Sequence, residues 1–213
     1  MRSTIASRSQ HFYRARHLAF IPTSPIISAR RWNSSTSSPP KTYYDLFPQT
    51  LAQGPPPAGP FPINLRALRS EFLQLQAKSH PDLHASSQKN QADATSAHIN
   101  EAYKTLQSPL LRAQYLLSLR GMEVAEETAK IDDPEFLMEV MEVRERIEDV
   151  EKVEGLDGLV IENEQRLREC EEKLAAAFGK GDWEGAGEQA VRLRYWVNVR
   201  DTLHEWEEKS GNT

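Results

Sequence analysis

The sequence predicts an all-α protein, and three observations support this. Apolar residues recur at spacings of three and four along successive segments, which is the period of amphipathic helices. Ser108-Pro109 and Asp133-Pro134 stand at segment boundaries, where the first side chain can cap a helix and the proline fits its first turn. No stretch shows the alternation of apolar and polar residues that marks a strand. The predicted architecture is an antiparallel helical hairpin joined to an antiparallel three-helix bundle.

The N-terminal segment, residues 1–42, is predicted to be a mitochondrial presequence and disordered arm. The first forty-four residues contain seven basic residues, many serines and no Asp or Glu. Apolar residues are interleaved with the basic ones, as an amphipathic import helix requires. Arg30-Arg31-Trp32 is the candidate processing site. A disordered basic arm that binds nucleic acid is the competing interpretation of the same composition.

The charge distribution divides the remaining chain into two modules, residues 43–120 and 121–213. Removing the seven N-terminal positive charges takes the net charge from −5 to −12, and this excess falls on residues 108–213 because acids and bases balance over 43–107. An acidic half repels phosphate backbones, so we expect no nucleic-acid binding there. No run approaches the ~20 apolar residues that span a bilayer, so no membrane association is expected.

The N-terminal module begins with a short helical turn over residues 43–47. A loop rich in Pro and Gly follows, from Pro48 to Pro62. Two apolar stripes then predict the hairpin, formed by Leu65, Leu68, Phe72 and Leu75 on the first helix and by Ile99, Ala102, Tyr103 and Leu106 on the second. The opposite face of the first helix is basic, with Arg66, Arg69 and Lys78. His80-Pro81-Asp82 stands at the tip, where the proline stiffens the turn and both flanking side chains project outward.

A leucine-rich helix is predicted to connect the modules. Ser108-Pro109 opens it and Gly121 ends it. Its leucines are expected to bury against both modules and to hold them in a fixed arrangement: Leu110, Leu111, Leu116, Leu117 and Leu119. Residues 122–133 are predicted to be a loop.

Three further helices form the predicted bundle. Asp133-Pro134 opens the first, and Gly155-Leu156-Asp157-Gly158 separates it from the second. The stretch from Gly179 to Asp182 separates the second from the third, which runs from Trp183 to about Lys209. Two short turns between long amphipathic helices favour antiparallel packing.

The first and third bundle helices carry apolar residues that one core does not need. The first has a seam of Phe136, Val140, Val143, Ile147 and Val150, and the third has Ala186, Ala190, Leu193 and Val197. At ~100° per residue, Leu137, Met138 and Met141 centre ~140° from the first seam. Tyr195 points ~200° from Leu193 by the same arithmetic. These four side chains have no evident partner in the bundle, so they predict a binding surface.

No residues predict a metal site, a cofactor site or catalysis. Cys170 is the only cysteine and lies on a helical stripe, so we expect it to pack as a small apolar residue. His84, His98 and His204 are isolated from one another. An enzyme that uses His80 and Asp82 as base and orienting group is a second hypothesis. It lacks an accompanying nucleophile, metal set or phosphate loop.

The N-terminal module resembles the J-domain of DnaJ-like co-chaperones. The resemblance rests on His80-Pro81-Asp82 between two helices, on Tyr43-Tyr44-Asp45-Leu46-Phe47 and on the segment Asn100–Leu106. Beyond it, the segment Pro109–Gly121 and Phe136-Leu137-Met138-Glu139 are similar to the HscB family, the J-proteins of iron–sulfur cluster assembly. Some eukaryotic relatives bind zinc through paired cysteines ahead of the J-domain, which this chain lacks.

The resemblance implies an adaptor with no active site of its own. The chaperone-binding residues, for a mitochondrial DnaK-class ATPase, would be His80, Pro81, Asp82, Arg66, Arg69 and Lys78. An IscU-class iron–sulfur scaffold would bind Leu137, Met138, Met141 and Tyr195, with Glu142, Arg144 and Glu145 at the rim. The expected role is to stimulate the chaperone's ATPase in the mitochondrial matrix and promote cluster transfer. A general J-protein for unfolded mitochondrial clients is the alternative.

Overall fold

The computed structural model describes residues 42–79, 89–122, 133–150 and 155–210. A short 3-10 helix, Tyr43–Leu46, opens the described chain. Six α-helices follow: α1 (Leu65–Ser79), α2 (Lys89–Gln107), α3 (Pro109–Ser118), α4 (Pro134–Glu148), α5 (Asp157–Lys180) and α6 (Trp183–Ser210). Helices are the only regular secondary structure in these ranges, so the all-α prediction is confirmed. The predicted presequence lies outside the described residues.

Helices α1 and α2 form an antiparallel hairpin. The side chains of Gln76 and Ser96 exchange a hydrogen bond of 2.8 Å, and one turn back the ring of Phe72 stacks on Tyr103 at 4.1 Å between centroids. From the first contact to the second, the residue number falls on α1 and rises on α2, so the two helices are antiparallel. Leu68 is fully buried between the helices, whereas Leu65, the first residue of α1, is half exposed. The apolar stripe therefore leaves the core at the first residue of the helix.

A buried carboxylate fixes the proline-rich loop to α1. Glu71 is only 4 % exposed, and its two oxygens accept hydrogen bonds from the backbone N–H groups of Gln49 (3.0 Å) and Thr50 (2.8 Å). Two donors to one carboxylate compensate for its burial. No local sequence pattern predicts this contact, which joins residues more than twenty positions apart.

Substitution of Glu71 by alanine should lower the free energy of unfolding by about 2–3 kcal/mol, because the part-buried backbone amides of Gln49 and Thr50 lose a charged acceptor. Urea denaturation monitored by circular dichroism would measure the loss. Asp93→Asn, at an exposed position on α2, provides the control and should change stability by less than about 0.5 kcal/mol. Equal stability of the wild type and Glu71→Ala would show that the carboxylate does not hold the loop.

Buried Arg112 on α3 joins the N-terminal hairpin to the helices that follow. Its Nε donates to the carbonyl of Leu106 (2.8 Å), and its Nη1 donates to the carbonyl of Phe61 (2.6 Å). The ring of Phe61 in turn stacks on Phe178 of α5, with centroids 5.0 Å apart. Burial lowers the pKa of the Arg112 guanidinium. The two halves of the chain therefore share a polar and aromatic junction.

Helix α3 packs against α2 on one side and α6 on the other, as predicted for a connecting helix. Leu116 and Leu117 are buried, and Leu110 and Leu111 are partly buried. Leu119 is 45 % exposed, so its predicted burial is wrong. It stands one residue beyond α3, where the chain turns into solvent before Gly121, whose φ is +72°.

In the C-terminal region, helices α4 and α5 both pack against α6. The helix boundaries match the predicted caps, since Ser108 accepts from the amide of Leu111 and Asp133 accepts from that of Phe136. A left-handed Gly181 (φ +71°) ends α5 before α6 begins. Helix α5 begins at Asp157, so Gly158 lies inside the helix and the predicted turn is shorter. The predicted seam of α4 is buried from Phe136 to Ile147, and Val150 is partly buried.

Candidate functional sites

Two methionines form the exposed centre of a surface on α4. Met138 is 70 % exposed and Met141 is 61 % exposed, although both belong to a helix whose opposite side is fully buried. Single exposed apolar residues are common on proteins. Two large ones a single helical turn apart form a local apolar surface instead, and methionine adapts well to partner surfaces. The predicted exposure of these two residues is confirmed.

Leu137 and Tyr195 differ from the prediction because both are partly buried against the core. The edge of the Tyr195 ring meets the ring of Phe136, with centroids 5.6 Å apart and planes at 85°. The expectation that Tyr195 lacks a partner was therefore wrong. Helix α6 contacts α3, α4 and α5, so more than one of its faces is covered. Tyr195 therefore packs against α4 through Phe136.

The start of α4 is fixed to α6 by charge and aromatic contacts. The carboxylate of Asp133 caps α4 and forms an ion pair with Arg192 of α6. The same guanidinium lies over the Phe136 ring, 4.6 Å from its centroid. Hydrogen bonding from the Phe136 amide, followed by that from Arg192, holds the pKa of Asp133 below its usual value. The backbone beneath Leu137 and Met138 is therefore held in place before any partner binds.

Charged residues surround the methionines. A shallow depression of about 470 Å³ on this surface is lined by Glu135, Met138, Glu139, Met141, Glu142 and Glu145. Glu139 is already paired with Arg166 of α5 at 2.8 Å. Within the described parts of the chain, Glu142, Glu145 and Arg144 are exposed and form no ion pair. The predicted rim residues are therefore accessible, and Glu135 adds an acidic residue that the sequence reasoning missed.

The second predicted site lies on α1. Arg66, Arg69 and Lys78 are all exposed on this helix. The guanidinium groups of Arg66 and Arg69 make no hydrogen bond or ion pair in the described ranges. His80-Pro81-Asp82 lies outside the described residues, which place only the end of α1 and the start of α2 on either side of it. The role predicted for the tripeptide stays a prediction.

The described residues contain no cluster of three or more His, Cys, Asp or Glu side chains that could hold a metal ion. They also contain no helix long and apolar enough to cross a bilayer. Cys170 is buried as predicted, and burial raises the pKa of its thiol to about 11, which makes it a poor nucleophile. His98 packs its ring edge-on against Tyr43, with centroids 5.5 Å apart.

Comparison with known proteins identifies the family. Residues 132–204 match the family model of the HSCB C-terminal oligomerisation domain. The J-type co-chaperone jac1, mitochondrial, of Schizosaccharomyces pombe is 36% identical over 189 residues, which cover 87% of this chain and 83% of the relative. The chain belongs to the HscB/Jac1 family of J-type co-chaperones. The corresponding JAC1 protein of Saccharomyces cerevisiae is 31% identical over 78% of this chain and 88% of its own length.

Solved structures of the HscB/Jac1 family show the same fold. The human co-chaperone protein HscB superimposes with a TM-score of 0.70 at 28% identity, covering 79% of this chain and 83% of the other. The Jac1 co-chaperone of Saccharomyces cerevisiae gives a TM-score of 0.64 at 29% identity, covering 78% and 96%. This protein is accordingly a mitochondrial co-chaperone that acts in iron–sulfur cluster assembly.

Proposed function

We propose that this protein binds an IscU-class iron–sulfur scaffold and delivers it to a DnaK-class chaperone in the mitochondrial matrix, whose ATPase it stimulates to promote cluster transfer. The observation that carries the scaffold-binding half is the exposure of Met138 and Met141 on a helix that is otherwise packed and fixed to its neighbours. An apolar centre with an unpaired charged rim is the usual construction of a protein interface.

The scaffold-binding surface consists of Leu137, Met138, Met141 and Tyr195, with Glu142, Arg144 and Glu145 at its rim. Met138 and Met141 would lose most of their exposed area to the partner and contribute apolar free energy. Leu137 and Tyr195 are partly buried against the core, so their side chains would lose little conformational entropy on binding. Arg144 and the two glutamates would set the register of the complex through charge complementarity.

Chaperone docking would use α1 and the tip of the hairpin. The exposed Arg66 and Arg69 are neighbours on one side of α1, and Lys78 is exposed near its end, so the helix offers basic groups suited to an acidic surface of the chaperone. Asp82 would pair with an arginine of the chaperone, while His80 and Pro81 shape the turn. Docking stimulates hydrolysis only if the J-domain binds the hydrolysis-competent state of the chaperone more tightly than the other state.

The shared junction at Arg112 supports simultaneous delivery. Because Arg112 and Phe61 connect the hairpin to α5, a scaffold held on α4 and α6 would have a defined position relative to the docked chaperone. Such an arrangement raises the effective concentration of the scaffold at the chaperone's substrate site. The adaptor itself then needs no chemistry.

Client specificity distinguishes this proposal from a general J-protein. We expect isothermal titration calorimetry to show stoichiometric binding of an IscU-class scaffold in its folded form. Chemically unfolded model proteins should show no saturable binding, since α4 and α6 offer one rigid surface and not an adaptable groove. Comparable affinity for the scaffold and for several unfolded proteins would favour the general J-protein instead.

A further inference from the structure

The solvent face of α1 carries a large apolar residue, Leu73, in the same row as its two arginines. Leu73 is 56 % exposed in the middle of the helix. The other leucines in the interior of α1 are buried or partly buried. At ~100° per residue Leu73 lies ~20° from Arg66 and ~40° from Arg69 around the helix axis, and ~140° from buried Leu68. Arg66, Arg69 and Leu73 therefore form one row along the exposed face.

The surroundings of Leu73 resemble the centre of a binding surface. Arg69 precedes it by four residues, so the two side chains are neighbours on the helix surface. The methylene stems of the arginines can extend the apolar area around Leu73 while their charged ends remain in water. Both guanidinium groups are free of ion pairs within the described residues and are available to a partner.

We propose that Leu73 is an apolar anchor for the DnaK-class chaperone, which inserts into an apolar depression bordered by carboxylates on the chaperone surface. This inference rests on the proposed function, since it assigns a further contact to the same docking face. The occupant follows from charge complementarity. Two unpaired arginines beside the leucine require a partner that is acidic around an apolar centre.

An apolar anchor and a basic rim respond differently to salt. Attraction between exposed charges falls as the Debye length shortens, whereas burial of a leucine does not depend on that screening. Docking by charge alone would disappear at high ionic strength. Docking with Leu73 as anchor should weaken with salt and yet retain a residual affinity that depends on this side chain.

The experiment measures the dissociation constant of the full-length protein for the ATP-bound chaperone at low (about 0.05 M) and high (about 0.5 M) ionic strength. Leu73→Ala should raise the dissociation constant about tenfold, which corresponds to about 1.4 kcal/mol, by a similar factor at both salt concentrations. Leu73→Met should remain within about twofold of the wild type, because it keeps the apolar volume. Leu119→Ala, which truncates a leucine of similar exposure just beyond the end of α3, is the matched control and should have no effect.

The binding results for the wild type and for Leu73→Ala distinguish failure of the proposed function from failure of the proposed anchor. If the wild-type protein does not bind the chaperone, the proposed function fails, and the anchor fails with it. If the wild type binds and Leu73→Ala binds equally well, only the anchor is refuted. Sedimentation of the protein alone tests the remaining occupant, because a Leu73-dependent dimer with no loss of chaperone affinity would assign this face to a second copy of the chain.

Discussion

His80→Gln is expected to abolish stimulation of the chaperone's ATPase and to leave scaffold affinity unchanged. The substitution removes the imidazole of the tripeptide, which is part of the proposed chaperone contact, and approximately preserves the side-chain volume. The proposed scaffold surface is on α4 and α6, which contain none of the hairpin residues. Single-turnover ATP hydrolysis would measure the first effect, and calorimetric titration with the scaffold would measure the second.

A loss of scaffold affinity in His80→Gln would contradict the assignment of the two activities to separate surfaces. Circular dichroism provides the folding control, since the substitution leaves in place the stacking of Phe72 on Tyr103 that holds α1 and α2 together. Thermal unfolding of the variant should match that of the wild type within a few degrees. A variant that folds normally but retains full ATPase stimulation would leave the tripeptide without the proposed role.

Combined substitution of Met138 and Met141 by alanine is expected to weaken scaffold binding by about 2–4 kcal/mol if each is a hot spot that costs ~1–3 kcal/mol. The structure makes this pair the cleanest test of the scaffold surface. Both side chains are largely exposed, so their truncation should not lower stability. Calorimetric titration with the scaffold measures the dissociation constant.

Ile161→Ala is the matched control for the methionine pair, because Ile161 is 67 % exposed on α5 and outside the proposed surface. It should leave scaffold affinity unchanged. Leu137→Ala with Met141→Ala and Tyr195→Ala should also weaken binding by several kcal/mol, but it removes core contacts of Leu137 and Tyr195 as well. An unchanged dissociation constant in the methionine pair would show that these residues are ordinary surface.

The helices and the exposure of Met138 and Met141 could be predicted because their signals are local. Caps at Ser108 and Asp133 and the left-handed glycine after α5 fix helix ends through residues within one turn. The seam of α4 and the exposure of the two methionines follow from the helical period alone. These features need no knowledge of what the helix packs against.

The remaining features depend on contacts between distant residues. Arg112 reaches Phe61 across fifty-one positions, and Glu71 reaches the loop across more than twenty, so neither role has a local signature. Tyr195 was assigned a free face because a helical wheel assumes one core, whereas α6 packs against three helices. The helical period predicts burial of Leu119 only if α3 continues through it, but α3 ends at Ser118.

The central claim is that one protein couples scaffold binding to ATP hydrolysis by the chaperone. The most direct test is single-turnover ATP hydrolysis by a mitochondrial DnaK-class chaperone, with this protein and the scaffold added separately and together. We expect the two together to stimulate hydrolysis by more than the sum of their separate effects, and His80→Gln to remove the synergy. Stimulation that is the same with and without the scaffold, or no stimulation at all, would contradict this claim.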